Sequence, residues 1–159
     1  MQRQALAHEL PSWPAGYAGI PFADRGRTRA GCDCWGLARL IWRDRCDLRL
    51  PEGAGYATAH DPDAVAGVIQ GGLAPDWLTV PAGEERPYDG VLLAGLSQVG
   101  GGPVRRTPMH VGVVIVPGWL IHMQDGVGVA VEDYRNGRRL RHRVLGFYRH
   151  CELAGYRHE

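Results

Sequence analysis

The stretch GCDCWGLARLIW, residues Gly31 to Trp42, decides the fold prediction because it places two cysteines at the start of an apolar-periodic segment. Four of its positions recur at i, i+3, i+4 and i+7, the spacing of one helix face, and these are Cys34, Leu37, Ala38 and Ile41. The spacing predicts a helix over residues 34–46 whose apolar face packs on the rest of the protein.

The residues at the start of this helix predict a reactive thiol. Asp33 occupies the N-cap position, where its carboxylate can accept a hydrogen bond from a free amide of the first turn. Cys34 is then the first helical residue, beside unpaired N–H groups and the positive end of the helix dipole, a setting that lowers the pKa of a thiol. Gly36 lets another backbone approach the first turn closely.

Other interpretations of the cysteines stay open on this helix alone. Free cysteine is among the most buried residue types, so a buried and inert Cys34 is the commoner outcome. A disulfide between Cys32 and Cys34 would be strained. Structural zinc usually needs a second cysteine pair of similar spacing, whereas Cys46 and Cys151 occur singly. We therefore predict reduced cysteines and no metal site.

Two of the seven histidines lie in β-rich segments and are candidates for the base that a thiol nucleophile requires. His110 opens the run HVGVVIV, and His122 lies in WLIHM on the next strand. Taken singly, each is more often a core or edge residue than a catalyst. Two histidines on adjacent strands, together with a capped cysteine, favour a catalytic group.

The connection between these two strands decides whether the imidazoles can meet. Side chains alternate between the faces of a strand, so a simple two-residue turn at Pro117-Gly118 would place His110 and His122 on opposite faces. Pro-Gly also does not suit the primed turns that tight hairpins prefer. We therefore predict an odd-length connection or a β-bulge near residues 116–118, which would put both imidazoles on one face.

The order of segment types predicts an α+β fold, with helix first and antiparallel sheet second. Residues 61–72, DPDAVAGVIQGG, are a candidate for a second short helix. Residues 51–62 and the glycine-rich residues 97–108 are predicted loops. The predicted β-rich runs lie at 89–96, 110–116, 119–123, 127–133 and 144–150.

Length and composition fit a single domain over residues 1–159. Hydrophobic residues make up 45% of the chain and the formal net charge is +1, so no global field draws it to nucleic acid. No apolar run approaches the roughly 20 residues needed to cross a bilayer, so no membrane span is predicted. The first residues lack the apolar core of a signal peptide, and we expect synthesis in the cytoplasm.

The motifs GCDCWGL, MHVGVVI and LIHM together resemble those of the NlpC-type peptidoglycan cysteine peptidases, a papain-like family. That family reads D-C-x-G-[LF], then H-[VI]-G-[IV], then a third polar residue on the following strand. PYDGVLLA resembles the family's strand motif upstream of the histidine, and GIPF resembles its G-T-P-Y. The resemblance implies a papain-like fold, with N-terminal helices packed on a central antiparallel β-sheet.

The resemblance also implies roles for individual residues. Cys34 would be the nucleophile, His110 the general base and acid, and His122 the residue that orients His110. The backbone amide of Cys34 would be an oxyanion donor, and no metal or other cofactor would be needed. The supporting positions that it implies are Asp33, Gly36, Phe22 and Asp89.

The layout is similar to one branch of this family, the cell-wall peptidases of phage tail tips and gene transfer agents. That branch shares G-C-D-C-x-G-L and an ending of the type VEDYRNGRRLRHRVLGFYRH. It implies cleavage of a D-glutamyl–diaminopimelate-type amide in the peptidoglycan stem during penetration of a host wall. It also implies other tail-tip proteins, of the hub or baseplate, as partners, and a location in a phage-like tail particle.

Two departures from the family pattern keep alternatives open. Phe22 replaces the family's Tyr, and Trp35 replaces the Ser that usually follows the cysteine. One alternative is a structural tail-tip subunit that retains the fold with little catalysis. Another is an amidase or acyltransferase that uses the same thiol, because a fold does not fix a function.

Overall fold

The structure, a computed structural model, describes residues 10–50, 76–97, 101–103, 105–124 and 126–155. In this part of the chain one α-helix packs on a six-stranded antiparallel sheet, which confirms the predicted α+β fold. A short 3₁₀ helix at Trp13–Tyr17 precedes the α-helix, so the predicted N-terminal helices reduce to one α-helix and one 3₁₀ turn among these residues. The helix predicted at 61–72 and the loop predicted at 51–62 lie outside the described residues.

The elements follow one another in a simple order. Helix α1 spans Cys34–Cys46, and a second 3₁₀ turn spans Cys151–Leu153. The strands are β1 (Arg27–Thr28), β2 (Gly31–Cys32), β3 (Trp77–Val80), β4 (Gly90–Ser97), β5 (Arg105–Val116), β6 (Trp119–Gln124), β7 (Gly128–Asp133) and β8 (Val144–His150). Strands β1 and β2 form a small ribbon, and the main sheet has the order β3-β8-β4-β5-β6-β7.

Helix α1 has the predicted bounds because both of its ends are encoded locally. The apolar periodicity ends at Cys46, and Asp47 then adopts a left-handed conformation with φ of 50°, which stops the helix. The amide of Leu48 donates to the carbonyl of Trp42 at 3.1 Å. The indole of Trp42 donates to the carbonyl of Tyr88 at 2.9 Å, which ties the helix to the chain that enters β4.

The sheet separates two apolar clusters. On one face, α1 packs against side chains of β5 and β6 that include Val111, Val113 and Ile121. On the other face, Leu93, Val114 and Leu120 pack with residues of the segment between β7 and β8, namely Tyr134 and Leu140. The two sets alternate along each strand, as a half-buried pleated sheet requires.

Strands β4 and β5 extend further than the sequence suggested. Strand β4 runs to Ser97 and β5 begins at Arg105, so the predicted loop over 97–108 is wrong at both of its ends. The backbone ladder continues through the pairs Leu96↔Arg106 and Ser97↔Arg105, since ladder hydrogen bonds do not require apolar side chains. Strand β3 and the β1–β2 ribbon were not predicted. None of the described helices is long and apolar enough to cross a membrane.

Candidate active site

The start of α1 is built around the buried carboxylate of Asp33. Its Oδ1 accepts from the amide of Gly36 at 2.8 Å, which confirms the predicted N-cap. Its Oδ2 accepts from the amide of Arg25 at 3.0 Å, and the guanidinium of Arg27 donates to Oδ1 at 3.0 Å. Asp33 therefore fixes the first turn of α1 and the loop before it, and with them the position of Cys34.

Gly36 permits a close backbone approach at this turn, as predicted. A Cβ atom built on Gly36 would lie 2.0 Å from the carbonyl oxygen of Gly26 and 2.9 Å from the Cβ of Cys32. Gly26 is equally constrained, because its own Cβ would lie 2.3 Å from the carbonyl oxygen of Gly31. Phe22 reaches the same loop through an isolated parallel bridge to Cys32. The loop and the helix start thus fit only with glycine at positions 26 and 36.

The Cys34 thiol is buried and meets strand β5 at its backbone. The backbone amides of Val111 and Trp35 lie near the sulfur and favour its anionic form. Val111 directly follows His110 in β5, and the pairing of β5 with β6 begins only at Val113↔Ile121. The sulfur therefore lies against β5 one residue from His110, at a point beyond the β5–β6 ladder.

Burial raises the pKa of Cys34 to about 12, and the negative charge of Asp33 acts in the same direction. The predicted lowering of this pKa is therefore wrong. The amides of Val111 in β5 and of Trp35 at the helix start, together with the charge of Arg27, do favour the thiolate, but their effect is smaller than the loss of solvation. The carboxylate that caps the helix also lies next to the sulfur and opposes its ionisation. In this structure Cys34 is a neutral thiol.

The register of β5 and β6 brings the two predicted histidines together. The pairs Val114↔Leu120 and Val116↔Trp119 leave one extra residue, Ile115, in β5. This bulge confirms the predicted irregularity and places both imidazoles on one face of the sheet. The Nε2 atom of His110 lies 2.7 Å from the Nδ1 atom of His122.

Both imidazoles are held in the neutral form. Burial lowers the pKa of His110 well below its ordinary value, repulsion between the two imidazolium forms prevents His110 and His122 from being protonated together, and the positive charges of Arg143 and Arg139 lower the pKa of His110 further. Burial also lowers the pKa of His122, although a hydrogen bond and the charge of Glu132 oppose this shift. A neutral His110 can accept a proton, which is what a general base must do.

Glu132 is a member of this cluster that the sequence analysis did not identify. Its Oε2 atom is hydrogen-bonded to the Nε2 atom of His122, and its Oε1 atom forms an ion pair with the guanidinium of Arg139 at 3.2 Å. Glu132 lies in β7 opposite Leu120 and therefore on the same sheet face as His122. The only signal in the sequence is an acid within a β-rich run, and its meaning depends on the β6–β7 register.

Helix α1, which carries Cys34, packs on one face of the sheet, whereas His122 lies toward the other, and the Cys34 sulfur lies at the backbone of β5 near the Val111 amide. Among the described residues, no hydrogen bond joins the Cys34 thiol to either imidazole. The ring nitrogen of His110 that His122 does not engage is Nδ1. The structure thus joins His110, His122 and Glu132 to one another and places Cys34 beside them at Val111.

Asp89, a further supporting position, lies away from this cluster. Its carboxylate receives two hydrogen bonds from the guanidinium of Arg149, at 2.8 and 2.7 Å, and one from the amide of Arg86 at 2.8 Å. Asp89 directly precedes β4, whereas His110 is opposite Leu93 further along that strand. The contacts of Asp89 therefore connect β4 with β8. In the described parts of the chain, no group of three or more His, Cys, Asp and Glu side chains could hold a metal ion.

Comparison with known proteins gives a fold relationship. No protein-family model and no curated protein matches the chain. The chain is similar to a solved Staphylococcus aureus protein of the NLP/P60 family, described as similar to lipoprotein, with 19% identity and a TM-score of 0.55. That match covers 86% of this chain but only 38% of the other, so the chain spans well under half of that protein. It is also similar to the NlpC/p60 domain of the peptidoglycan hydrolase SagA, with 21% identity, a TM-score of 0.48, and 76% and 82% of the two chains covered. The Staphylococcus aureus protein shares the fold of this chain.

Proposed function

We propose that this protein is a cysteine peptidase that hydrolyses an amide in the peptide stem of peptidoglycan. The observation that carries the proposal is the placement of the Cys34 thiol on β5, one residue from a His110 that is paired with His122. The motifs around these three residues and the fold shared with an NLP/P60 family protein support the same assignment.

In the proposed first half-reaction, His110 acts as a base toward a neutral thiol. As the sulfur of Cys34 attacks the carbonyl carbon of the stem amide, the thiol proton moves to Nδ1 of His110. The resulting oxyanion accepts hydrogen bonds from backbone amides, for which the Cys34 amide at the start of α1 is the candidate. His110 then returns the proton to the leaving nitrogen, which departs as an amine and leaves a thioester on Cys34.

In the second half-reaction, water replaces the amine. His110 accepts a proton from water as its oxygen attacks the thioester carbonyl, and then returns that proton to the sulfur as the carbon–sulfur bond breaks. The products are a carboxylic acid and the regenerated thiol. Because Cys34 and His110 both begin and end neutral, the cycle needs no stored thiolate and is compatible with the raised pKa of Cys34.

The charges around His110 support an anionic substrate. Arg139 and Arg143 act electrostatically on this imidazole, and both come from the basic segment between β7 and β8. Peptidoglycan stems carry the carboxylates of D-glutamate and diaminopimelate, which such cations attract. We propose a D-glutamyl–diaminopimelate-type amide as the bond that is cleaved.

The proposed setting is a phage-like tail tip, where the enzyme would open the host wall beside other tail-tip proteins. The support for this setting is the sequence pattern alone, in the motif GCDCWGL and the ending VEDYRNGRRLRHRVLGFYRH. Copurification of the protein with tail particles would test this part of the proposal separately from the chemistry.

The proposal is tested by incubating purified sacculi with the protein in water enriched in ¹⁸O and analysing the soluble fragments by mass spectrometry. The wild type should release fragments with a new amino group and one ¹⁸O atom in a new carboxylate. Cys34→Ala should release none, whereas Cys151→Ala, which removes an exposed thiol, should match the wild type. Equal release by wild type and Cys34→Ala would overturn the proposal, and fragments without ¹⁸O would indicate acyl transfer instead.

A further inference from the structure

The hydrogen-bond chain behind His110 continues beyond His122. Glu132 contacts His122 at Nε2, and His122 contacts the Nε2 atom of His110 through its own Nδ1. The other carboxylate oxygen of Glu132 is occupied by the guanidinium of Arg139. The chain therefore runs from a cation through a carboxylate and two imidazoles, and it ends at His110, whose other ring nitrogen is Nδ1.

This order of groups fixes the position of each proton. An ionised carboxylate can only accept, so the Nε2 atom of His122 must carry a hydrogen. A neutral imidazole carries one N–H, which leaves the Nδ1 atom of His122 as an acceptor. At 2.7 Å from that acceptor, the Nε2 atom of His110 must be the donor. The remaining nitrogen, Nδ1 of His110, then has a lone pair.

We propose that Glu132 is a positioning residue that sets the tautomers of both histidines, so that the Nδ1 atom of His110 is available as the base. The inference rests on the proposed function in one respect, namely that this lone pair accepts the thiol proton of Cys34. The tautomers themselves are a property of the protein without substrate.

Replacement of Glu132 by glutamine should reverse which ring nitrogen carries the hydrogen in each histidine. The Arg139 guanidinium can only donate, so it retains the oxygen of the new amide and turns the NH₂ group toward His122. The Nε2 atom of His122 then becomes the acceptor, its Nδ1 atom carries the hydrogen, and His110 receives a hydrogen bond at Nε2. The proton of His110 moves to Nδ1 and the base is lost, while the hydrogen bonds of the histidines and of Arg139 are retained. The Gln124 amide, which donates to Oε2 of Glu132 at 3.4 Å, would have to turn its own oxygen toward the new NH₂ group.

The test combines a spectroscopic readout with an activity measurement. Two-bond ¹H–¹⁵N correlation spectra of the substrate-free protein should show the Nε2–H tautomer for both histidines in the wild type and the Nδ1–H tautomer in Glu132→Gln. The rate of fragment release from sacculi should fall by about 100-fold or more, by comparison with the loss that a wrong histidine tautomer causes in serine proteases. Asp133→Asn, which removes a neighbouring carboxylate that caps the turn after β7, should leave both readouts unchanged.

The outcomes separate this inference from the proposed function. An Nδ1–H tautomer at His122 in the wild type would overturn the role of Glu132, even if Glu132→Gln does not fold. The role of Glu132 would also be overturned if a folded Glu132→Gln protein showed the same histidine tautomers as the wild type and released fragments at the same rate. If Glu132→Gln inverts the tautomers but the wild type releases no fragments, the positioning role stands and the peptidase proposal falls.

Discussion

At the scale of single residues, the start of α1 depends on the absence of a side chain at position 36. The carbonyl of Gly26 occupies the space that a Cβ would fill, at 2.0 Å. The same turn holds Cys34 and receives the cap from Asp33, so its backbone position determines where the sulfur lies. A single methyl group should therefore affect both stability and chemistry.

We predict that Gly36→Ala lowers the free energy of unfolding by about 1–3 kcal/mol, because the methyl group forces the Gly26 loop away from α1. Urea unfolding followed by circular dichroism measures this loss. Gly16→Ala is the matched control, since nothing lies within 4 Å of the corresponding Cβ position. A Gly36→Ala protein as stable as Gly16→Ala would show that the close approach is not needed.

The sequence predicted the residues of this turn but not the electrostatic state of its thiol. The N-cap, the helix start and the close approach at Gly36 are local features that spacing and residue type reveal. The pKa of Cys34 depends on how completely α1 and β5 exclude water from the sulfur, which is a tertiary property. Glu132 was missed for the same kind of reason, because its contact with His122 follows from strand register.

At the scale of elements, the ion pair between Asp89 and Arg149 joins the chain entering β4 to β8. The Asp89 side chain is only 2% exposed and that of Arg149 only 15%. The family resemblance gives Asp89 a supporting position, and its contacts indicate that this support is structural.

We predict that Asp89→Asn destabilises the protein by about 3 kcal/mol, because a buried guanidinium then lacks its counter-charge. The rate at which folded Asp89→Asn releases fragments from sacculi should match that of the wild type. Asp47→Asn is the control, since the ion pair of Asp47 with Arg49 is exposed and long, at 3.9 Å, and its loss should not shift the urea midpoint. Loss of activity with unchanged stability would instead place Asp89 in the catalytic group.

Helices and strands were predicted correctly where apolar residues recur at a regular spacing. They were missed where backbone hydrogen bonding alone determines the extent of a strand. Helix α1 and the β6–β8 runs were recognised from their apolar spacing, and the bulge at Ile115 from the need to bring two histidines to one face. The extension of β5 to Arg105 had no such signal, because its residues include Pro108 and two arginines. Strand β3 is four residues long, and its partner β8 lies about 70 residues away in the chain.

At the scale of the whole molecule, buried neutral groups set the pH range of stability. Burial lowers the pKa of His110 and of His122 below 6.5, so below pH 6.5 the unfolded chain binds protons that the folded chain does not. Burial raises the pKa of Cys34 from 9.0 to about 12, so above pH 9 the unfolded chain loses a proton that the folded chain keeps. Both effects favour the unfolded state outside this range.

We therefore predict maximal stability between about pH 6.5 and pH 9, with the free energy of unfolding falling on the acid side by up to about 1.4 kcal/mol per pH unit for each histidine. Urea unfolding at pH values from 5 to 10 measures the profile. His110→Asn should flatten the acid side, and His142→Gln, at an exposed position, should not. An acid slope that is the same in His110→Asn and wild type would contradict the conclusion that the His110 imidazole stays neutral in the folded protein.

We propose that Cys34, although buried, is the thiol that His110 activates, and a peptide carrying a chloromethyl ketone in place of the scissile amide tests this most directly. Exposure alone favours reaction at Cys151, whereas Cys34 is only 8% exposed. Peptide mapping by mass spectrometry should find the thioether on Cys34, with its rate of formation strongly reduced in His110→Asn. If Cys151 is modified first, and if the rate of labelling at Cys34 is the same in His110→Asn as in wild type, His110 does not activate Cys34.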